Sequence, residues 1–188
     1  MRCALFFGSF NPIHYGHLSI AEYLLGMEDI EQVRLILSPK NPLKDPRIIS
    51  DPFIRFKETV EAVNALPIKD EFRSKILVSD VEFHLTPPLY TINTPRYLRE
   101  QEPENEHILI IGGDNISIIE KWYKWEDILN EFEVWVYPRN SVGEEELCTK
   151  YNALQKTKKV LYLSDAPLYD ISSSEIREGK KSQFTLPG

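Results

Sequence analysis

At 188 residues, with 42% apolar and 27% charged side chains, the chain has the length and composition of one globular domain spanning residues 1–188. Its formal charge of −7 argues against non-specific nucleic-acid binding, which needs a basic face, but leaves room for a small anionic ligand held by a few local donors. No apolar run approaches the roughly 20 residues that cross a bilayer, and Met1-Arg2 leads into too short an apolar stretch for a signal peptide.

Cys3 and Cys148 lack metal-ligand spacing and read as two free buried thiols, which places the protein in a reducing cytoplasm. Arg2–Phe7 reads as the first strand, and Gly16–Gly26 as the helix after it, with Gly26 as its stop. Gln32–Ser38 is the second strand. Pro39–Ile49 holds three prolines and three cations and is expected to be a loop. Ser50 or Asp51 caps a helix that opens at Pro52 and runs to about Leu66, with Phe53, Phe56, Val60 and Val63 on one face.

Lys75–Ser79 is the third strand, and Asp80–Leu89 is irregular. A short helix follows from Thr94-Pro95 through Arg99. His107–Ile111 is the fourth strand and stops abruptly at Gly112-Gly113-Asp114. Ile116–Asn130 is helical in pattern, in one or two pieces, and carries Trp122 and Trp125. Glu133–Tyr137 is the fifth strand, closed by Pro138-Arg139-Asn140. Gly143–Gln155 is a helix with an acidic first turn, Lys159–Leu163 the sixth strand, and Ile171–Arg177 opens a last short helix.

Short apolar strands alternating with helices predict an α/β, Rossmann-like, doubly wound and mostly parallel sheet with helices on both faces. In the order 3-2-1-4-5-6, strands one and four are neighbours at the switch point, where such sheets bind ligands. The Gly8–His17 loop and the Gly112-Gly113-Asp114 turn then converge, 100 residues apart in sequence.

Gly8-Ser9-Phe10-Asn11-Pro12-Ile13-His14-Tyr15-Gly16-His17 is a tight loop feeding a helix N-terminus. Orphan N–H groups and the positive dipole end suit a phosphate there, and His14 and His17 add donors. A zinc site lacks its ligand pattern here, and the Gly-Lys-Ser/Thr ending of a Walker loop is missing. Ser172-Ser173-Ser174 is either a helix cap or, with Arg177 one turn on, a second anion site. Lys40, Lys44 and Arg47 are either a solvated loop face or a cationic arm over a phosphate. Trp122 is either core or a stacking surface for a flat ring, and Asp114 either caps a helix or accepts from a sugar diol.

Gly8–His17 resembles the Gly-x-Phe-x-Pro-x-His-x-Gly-His signature of a nucleotidyltransferase superfamily, and Ile171–Arg177 resembles its Ile-Ser-Ser-Thr-x-Ile-Arg signature. Within it, the chain is most similar to the bacterial nicotinate-nucleotide adenylyltransferases. Pro39–Lys44, Tyr90–Thr94, Gly112-Gly113-Asp114 and the Trp122/Trp125 region also match that family's pattern. Leu43 stands where the family usually has His, and Ser174 where it has Thr. Family chains normally continue past the Ile-Arg helix, whereas this sequence stops at Phe184–Gly188.

The resemblance implies adenylyl transfer from ATP to nicotinate mononucleotide, with Mg²⁺ held mainly by the ATP phosphates rather than by a protein metal site. It implies that ATP meets Gly8, Ser9, Phe10, His14, His17, Gly112, Asp114, Ile171, Ser172, Ser173 and Arg177. It places the mononucleotide at Ser9, Lys44, Tyr90, Thr91, Trp122 and Arg139. His14, His17, Lys44 and Arg177 would carry the catalysis. No nucleic acid or membrane partner is implied, and the oligomeric state, a homo-oligomer included, is left open. The alternatives are the amide mononucleotide, a phosphopantetheine substrate, or a nucleotide sensor that does no chemistry.

Overall fold

The structure, a computed structural model, describes residues 1–39, 51–139, 143–154, 159–168 and 171–183. Six strands form one parallel sheet: β1 (Arg2–Gly8), β2 (Gln32–Leu37), β3 (Ile76–Ser79), β4 (Glu106–Gly112), β5 (Glu133–Tyr137) and β6 (Val160–Tyr162). Their order is β3-β2-β1-β4-β5-β6, with Phe6 of β1 registered between Leu35 and Ile110. The expected switch point between β1 and β4 is therefore present.

Alternation along the strands sorts the core onto two faces. Ala4, Phe6, Ile108, Ile110, Trp135 and Tyr137 pack with α1 (Tyr15–Leu25) and α2 (Pro52–Ala65). Leu109, Ile111, Val134 and Val136 pack on the opposite side. That side is covered after β3 by a chain of helices. These are α4 (Asn93–Gln101), α5 (Gly113–Ile116), α6 (Trp125–Glu131) and α7 (Glu144–Leu154). Buried on both faces, β1, β4 and β5 read as near-continuous apolar runs for that reason.

Several expectations need adjusting. A short helix, α3 (Asp70–Arg73), precedes β3. The segment after β4 is three pieces rather than one or two, because a 3₁₀ turn at Ile119–Lys121 lies between α5 and α6. Lys124, with φ at +53°, then breaks the chain before α6. The apolar face expected of α2 is also rotated. Phe53 is 69% exposed and Val60 is exposed, whereas Arg55, Thr59, Ala62 and Val63 are buried. That stripe has helical spacing but contains a guanidinium, so a hydrophobic pattern misplaces it. Asp51 caps α2 as expected, accepting from the N–H groups of Phe53 (2.9 Å) and Ile54 (3.3 Å). Cys3 and Cys148 are free and buried. Among the described residues no helix is long and apolar enough to cross a membrane.

Candidate active site

A cleft of about 410 Å³ opens at the C-terminal ends of the strands. Its walls include His14, Gly16 and His17 from the turn after β1, Tyr137 to Arg139 after β5, and Ile171, Ser172 and Glu175 from the chain leading into α8 (Ser173–Arg177).

The turn after β1 is held by packing. Phe10 has φ at +40°, a left-handed conformation that costs a bulky residue on the order of 1–3 kcal/mol. Its buried ring makes edge contacts with Phe6 (5.9 Å) and His17 (5.2 Å) and lies across Gly8. A Cβ at Gly8 would sit 2.7 Å from that ring, so only glycine fits beneath it.

The two histidine rings lie 3.8 Å apart. His17 Nδ1 accepts the N–H of His14 at 3.3 Å. Nδ1 is therefore unprotonated, and the neutral ring carries its hydrogen on Nε2. His14 is 3% exposed, and its Nδ1 finds no hydrogen-bond partner among the described residues. Burial, reinforced by the Arg139 guanidinium and opposed by Glu175, pulls its pKa from 6.5 down to about 4. At neutral pH His14 is an uncharged hydrogen-bonding group facing a polar cleft.

The second signature touches the first directly. Ser173 Oγ donates to the carbonyl of Pro12 at 2.9 Å, and Arg177 Nη1 donates to the carbonyl of Asn11. Arg177 Nη2 also reaches Ser174 Oγ at 3.0 Å. Ser172 is the cap of α8: its hydroxyl accepts from the Glu175 N–H (3.2 Å), while Glu175 Oε2 accepts from the Ser172 N–H (2.9 Å). Hydrogen bonds from Ser172 and the nearby Lys181 ammonium hold the Glu175 carboxyl below its usual range.

On the other wall, Arg139 lies over the Tyr137 ring at 5.0 Å and donates to its hydroxyl at 3.2 Å. Its backbone N–H goes to the buried carboxylate of Glu144, at 3.2 and 3.1 Å. Tyr162 donates its hydroxyl to Glu144 at 3.1 Å, which raises the tyrosine's pKa to about 12 after the larger effect of burial. The same carboxylate presses on the turn after β4. A Cβ at Gly113 would come within 2.1 Å of it.

Of the residues expected at the site, His14, His17, Arg139, Ile171 and Ser172 line the cleft. Gly8, Ser9, Phe10, Ser173 and Arg177 are not part of the cleft wall: Phe10 packs on His17 and over Gly8, the Ser9 carbonyl accepts from Arg55, and Ser173 and Arg177 bond the turn at Pro12 and Asn11. Gly112 meets Arg139 and Asp114 at the end of β4; a Cβ there would lie 3.2 Å from Arg139 Cγ. Tyr90, Thr91 and Trp122 are not part of this cleft wall. Trp122 is half-buried against the Leu109–Val136 core, while its exposed neighbour Tyr123 stacks on Tyr90 at 4.2 Å. Lys44, with Lys40 and Arg47, lies outside the described residues, as do 184–188. Tyr123, Glu144, Glu82 and Arg55 were not singled out by sequence. Only Tyr123 had a legible signal, as an aromatic beside Trp122.

The Cytidylyltransferase-like family model matches residues 5–179. A probable nicotinate-nucleotide adenylyltransferase of Flavobacterium johnsoniae is 37% identical to this chain, over 100% of it and 92% of the relative. One of Bacteroides fragilis is 36% identical, over 98% and 87%. Plasmodium falciparum nicotinic acid mononucleotide adenylyltransferase complexed with NaAD shares the fold. Its TM-score is 0.76 at 20% identity, over 94% of this chain and 82% of that one. With both signatures on one cleft and relatives matched along nearly their whole length, the chain belongs to the nicotinate-nucleotide adenylyltransferase family of cytidylyltransferase-like nucleotidyltransferases.

Proposed function

We propose that this chain transfers the adenylyl group of ATP to nicotinate mononucleotide, forming nicotinate adenine dinucleotide and pyrophosphate. The observation that carries the reading is the joining of the two signatures. The histidine turn and the Ser173–Arg177 helix are bonded to each other and flank one cleft, in a chain 37% identical to the Flavobacterium johnsoniae relative.

The mononucleotide phosphate oxygen attacks the α-phosphorus of ATP in line, and the bond to the β-phosphate bridging oxygen breaks, releasing pyrophosphate. The reaction needs no covalent enzyme intermediate, so the protein's work is alignment and charge neutralisation. His17 donates from Nε2 to the α-phosphate, and neutral His14 donates alongside it. Arg177 has five N–H donors and, beyond those given to Asn11 and Ser174, takes the leaving pyrophosphate with the backbone N–H of Ser173, whose hydroxyl is given to Pro12. Gly8, Ser9, Phe10, Ile171 and Ser172 shape the ATP phosphate path, and Gly112 and Asp114 receive the adenosine sugar. Lys44 and Ser9 orient the attacking phosphate, Arg139 counters its charge, and Tyr90, Thr91 and Trp122 hold the pyridine.

Nucleotidyltransferases generally use a divalent metal with ATP. Among the described residues no three His, Cys, Asp or Glu side chains converge to bind one. Mg²⁺ would be carried by the triphosphate's own oxygens and would neutralise phosphate charge there.

Coupled pyrophosphate release is the test, with ATP and either nicotinate mononucleotide, its amide or phosphopantetheine. The acid mononucleotide should be turned over at the highest kcat/KM. Preference for the amide or for phosphopantetheine would reassign the substrate, and ATP binding without pyrophosphate from any acceptor would make the protein a sensor.

A further inference from the structure

Arg55 is the largest fully buried side chain among the described residues, at 0% exposure, in an α2 stripe that the reaction does not use. Its guanidinium reaches three backbone carbonyls on two segments. Nη1 donates to Ser9 (2.5 Å) and Ser38 (3.0 Å), and Nη2 donates to Pro39 (3.0 Å). Ser9 belongs to the histidine turn, and Ser38 and Pro39 follow β2. Ser38 also gives its N–H to Gly8 at 3.0 Å.

The polar contacts continue beyond Ser38. Its side chain acts on the Glu82 carboxylate, which is 5% exposed, and lowers its pKa against the larger effect of burial. Glu82 Oε1 in turn accepts from Thr94 Oγ1 at 2.8 Å, in the first turn of α4. Thr94 closes the Tyr90–Thr94 stretch. A polar strut, buried at Arg55, Glu82 and Thr94 and half-buried at Ser38, thus runs from the histidine turn to the Tyr90–Thr94 turn. Ordering two charged side chains out of water is costly, and a small apolar set would fill the same volume more cheaply. What the polar groups add is direction: the Arg55 and Thr94 hydrogen bonds have defined lengths and angles, so they set positions as well as filling space.

We propose that Arg55 is a positioning residue that, through Ser38 and Glu82, holds the ATP-phosphate turn at a set distance from the turn that receives the mononucleotide. The inference rests on the function proposed above, in which those two turns carry the two reactants. In-line attack is sensitive to that distance, since about 1 Å of misplacement can cost on the order of 10²-fold in rate.

Arg55→Lys and Thr94→Val test it from opposite ends. Lysine keeps a cation and three donors in the buried site but loses the planar fork, and valine keeps the shape of threonine without its hydroxyl. Hydrogen exchange is the first readout. Arg55→Lys should speed amide exchange at Thr91–Thr94, and Thr94→Val should speed it at Ser9 and Ser38, each by about 10-fold. Turnover is the second. Each variant should lower kcat about 10-fold, with the Kd for ATP unchanged within about twofold, since neither side chain meets substrate. Faster exchange confined to the substituted end overturns the strut, whatever the substrate is. Spread exchange with kcat within about twofold of wild type overturns the positioning role. A wild-type enzyme that releases no pyrophosphate with nicotinate mononucleotide overturns the functional reading instead, and the exchange result still decides the strut.

Discussion

His17 Nδ1 accepts the backbone N–H of His14 at 3.3 Å, and this bond decides which edge of His17 meets a substrate. The cap consumes the Nδ1 lone pair, so the only ring hydrogen is on Nε2. One side chain therefore finishes the helix start and presents a donor. The two rings lie 3.8 Å apart, and burial keeps His14 uncharged beside that donor.

His17→Ala should lower kcat by about 10²–10³, the cost of one lost donor to developing phosphate charge. Mononucleotide affinity should change little. The same substitution uncaps His14 N–H and should cost about 1 kcal/mol of stability. Steady-state kinetics with mononucleotide calorimetry checks both, and unchanged turnover would remove His17 from the reaction.

His14 makes stability pH-dependent in a defined window. Its folded pKa is about 4 against 6.5 for the free side chain, chiefly through burial. Between those values the unfolded chain takes up a proton that the folded chain refuses, so stability falls as pH falls. The full window is worth roughly 3 kcal/mol, and His107, also pushed down by burial, adds in the same direction. Glu102, held down to about 2 by its hydrogen bonds to Arg34, loses its contribution only at lower pH, from 4.5 downward. Urea unfolding from pH 7 to 4.5 should show the loss, and His14→Asn should flatten that slope. An unchanged slope would mean that His14 is not the group responsible.

Glu144 supports the opposite wall by taking Arg139 N–H and Tyr162 O–H at once. Glu144→Ala leaves those donors unmatched and should cost about 1–3 kcal/mol. Gly113→Ala drives a methyl into the same carboxylate and should cost a similar amount by overpacking, about 1–3 kcal/mol. Both should raise KM for the mononucleotide through Arg139 more than KM for ATP. Thermal unfolding and the two KM values check this, and equal rises in both would argue against Arg139 on the acceptor side.

The sheet was legible because β1, β4 and β5 are apolar on both faces, and only a parallel sheet covered on two sides asks for that. The two signatures were legible as a resemblance to the family's patterns, whereas the residues alone left the serine run open between a cap and an anion site. The α2 face was not legible. Phe53 and Val60 look like core, yet the buried position belongs to Arg55, whose partners are carbonyls at Ser9, Ser38 and Pro39. Carbonyls are present at every residue, so no sequence pattern marks which of them will need a donor. Glu144 and Glu82 escaped because their partners, the Arg139 N–H with the Tyr162 hydroxyl and the Thr94 hydroxyl, belong to groups too common for a pattern to single out. Of the two readings of the serine run, the structure supports the cap, at Ser172, while Ser173 bonds to the Pro12 carbonyl, which neither reading anticipated.

Ser173 and Arg177 lie 161 and 166 positions downstream of the carbonyls they hold at Pro12 and Asn11. During synthesis, the histidine turn leaves the ribosome well before its clamps do. All six strands, through Tyr162, emerge before Ser173. Sheet assembly and readiness for nucleotide are thus separate events, and a nascent chain can complete the first while its phosphate turn is still unlatched.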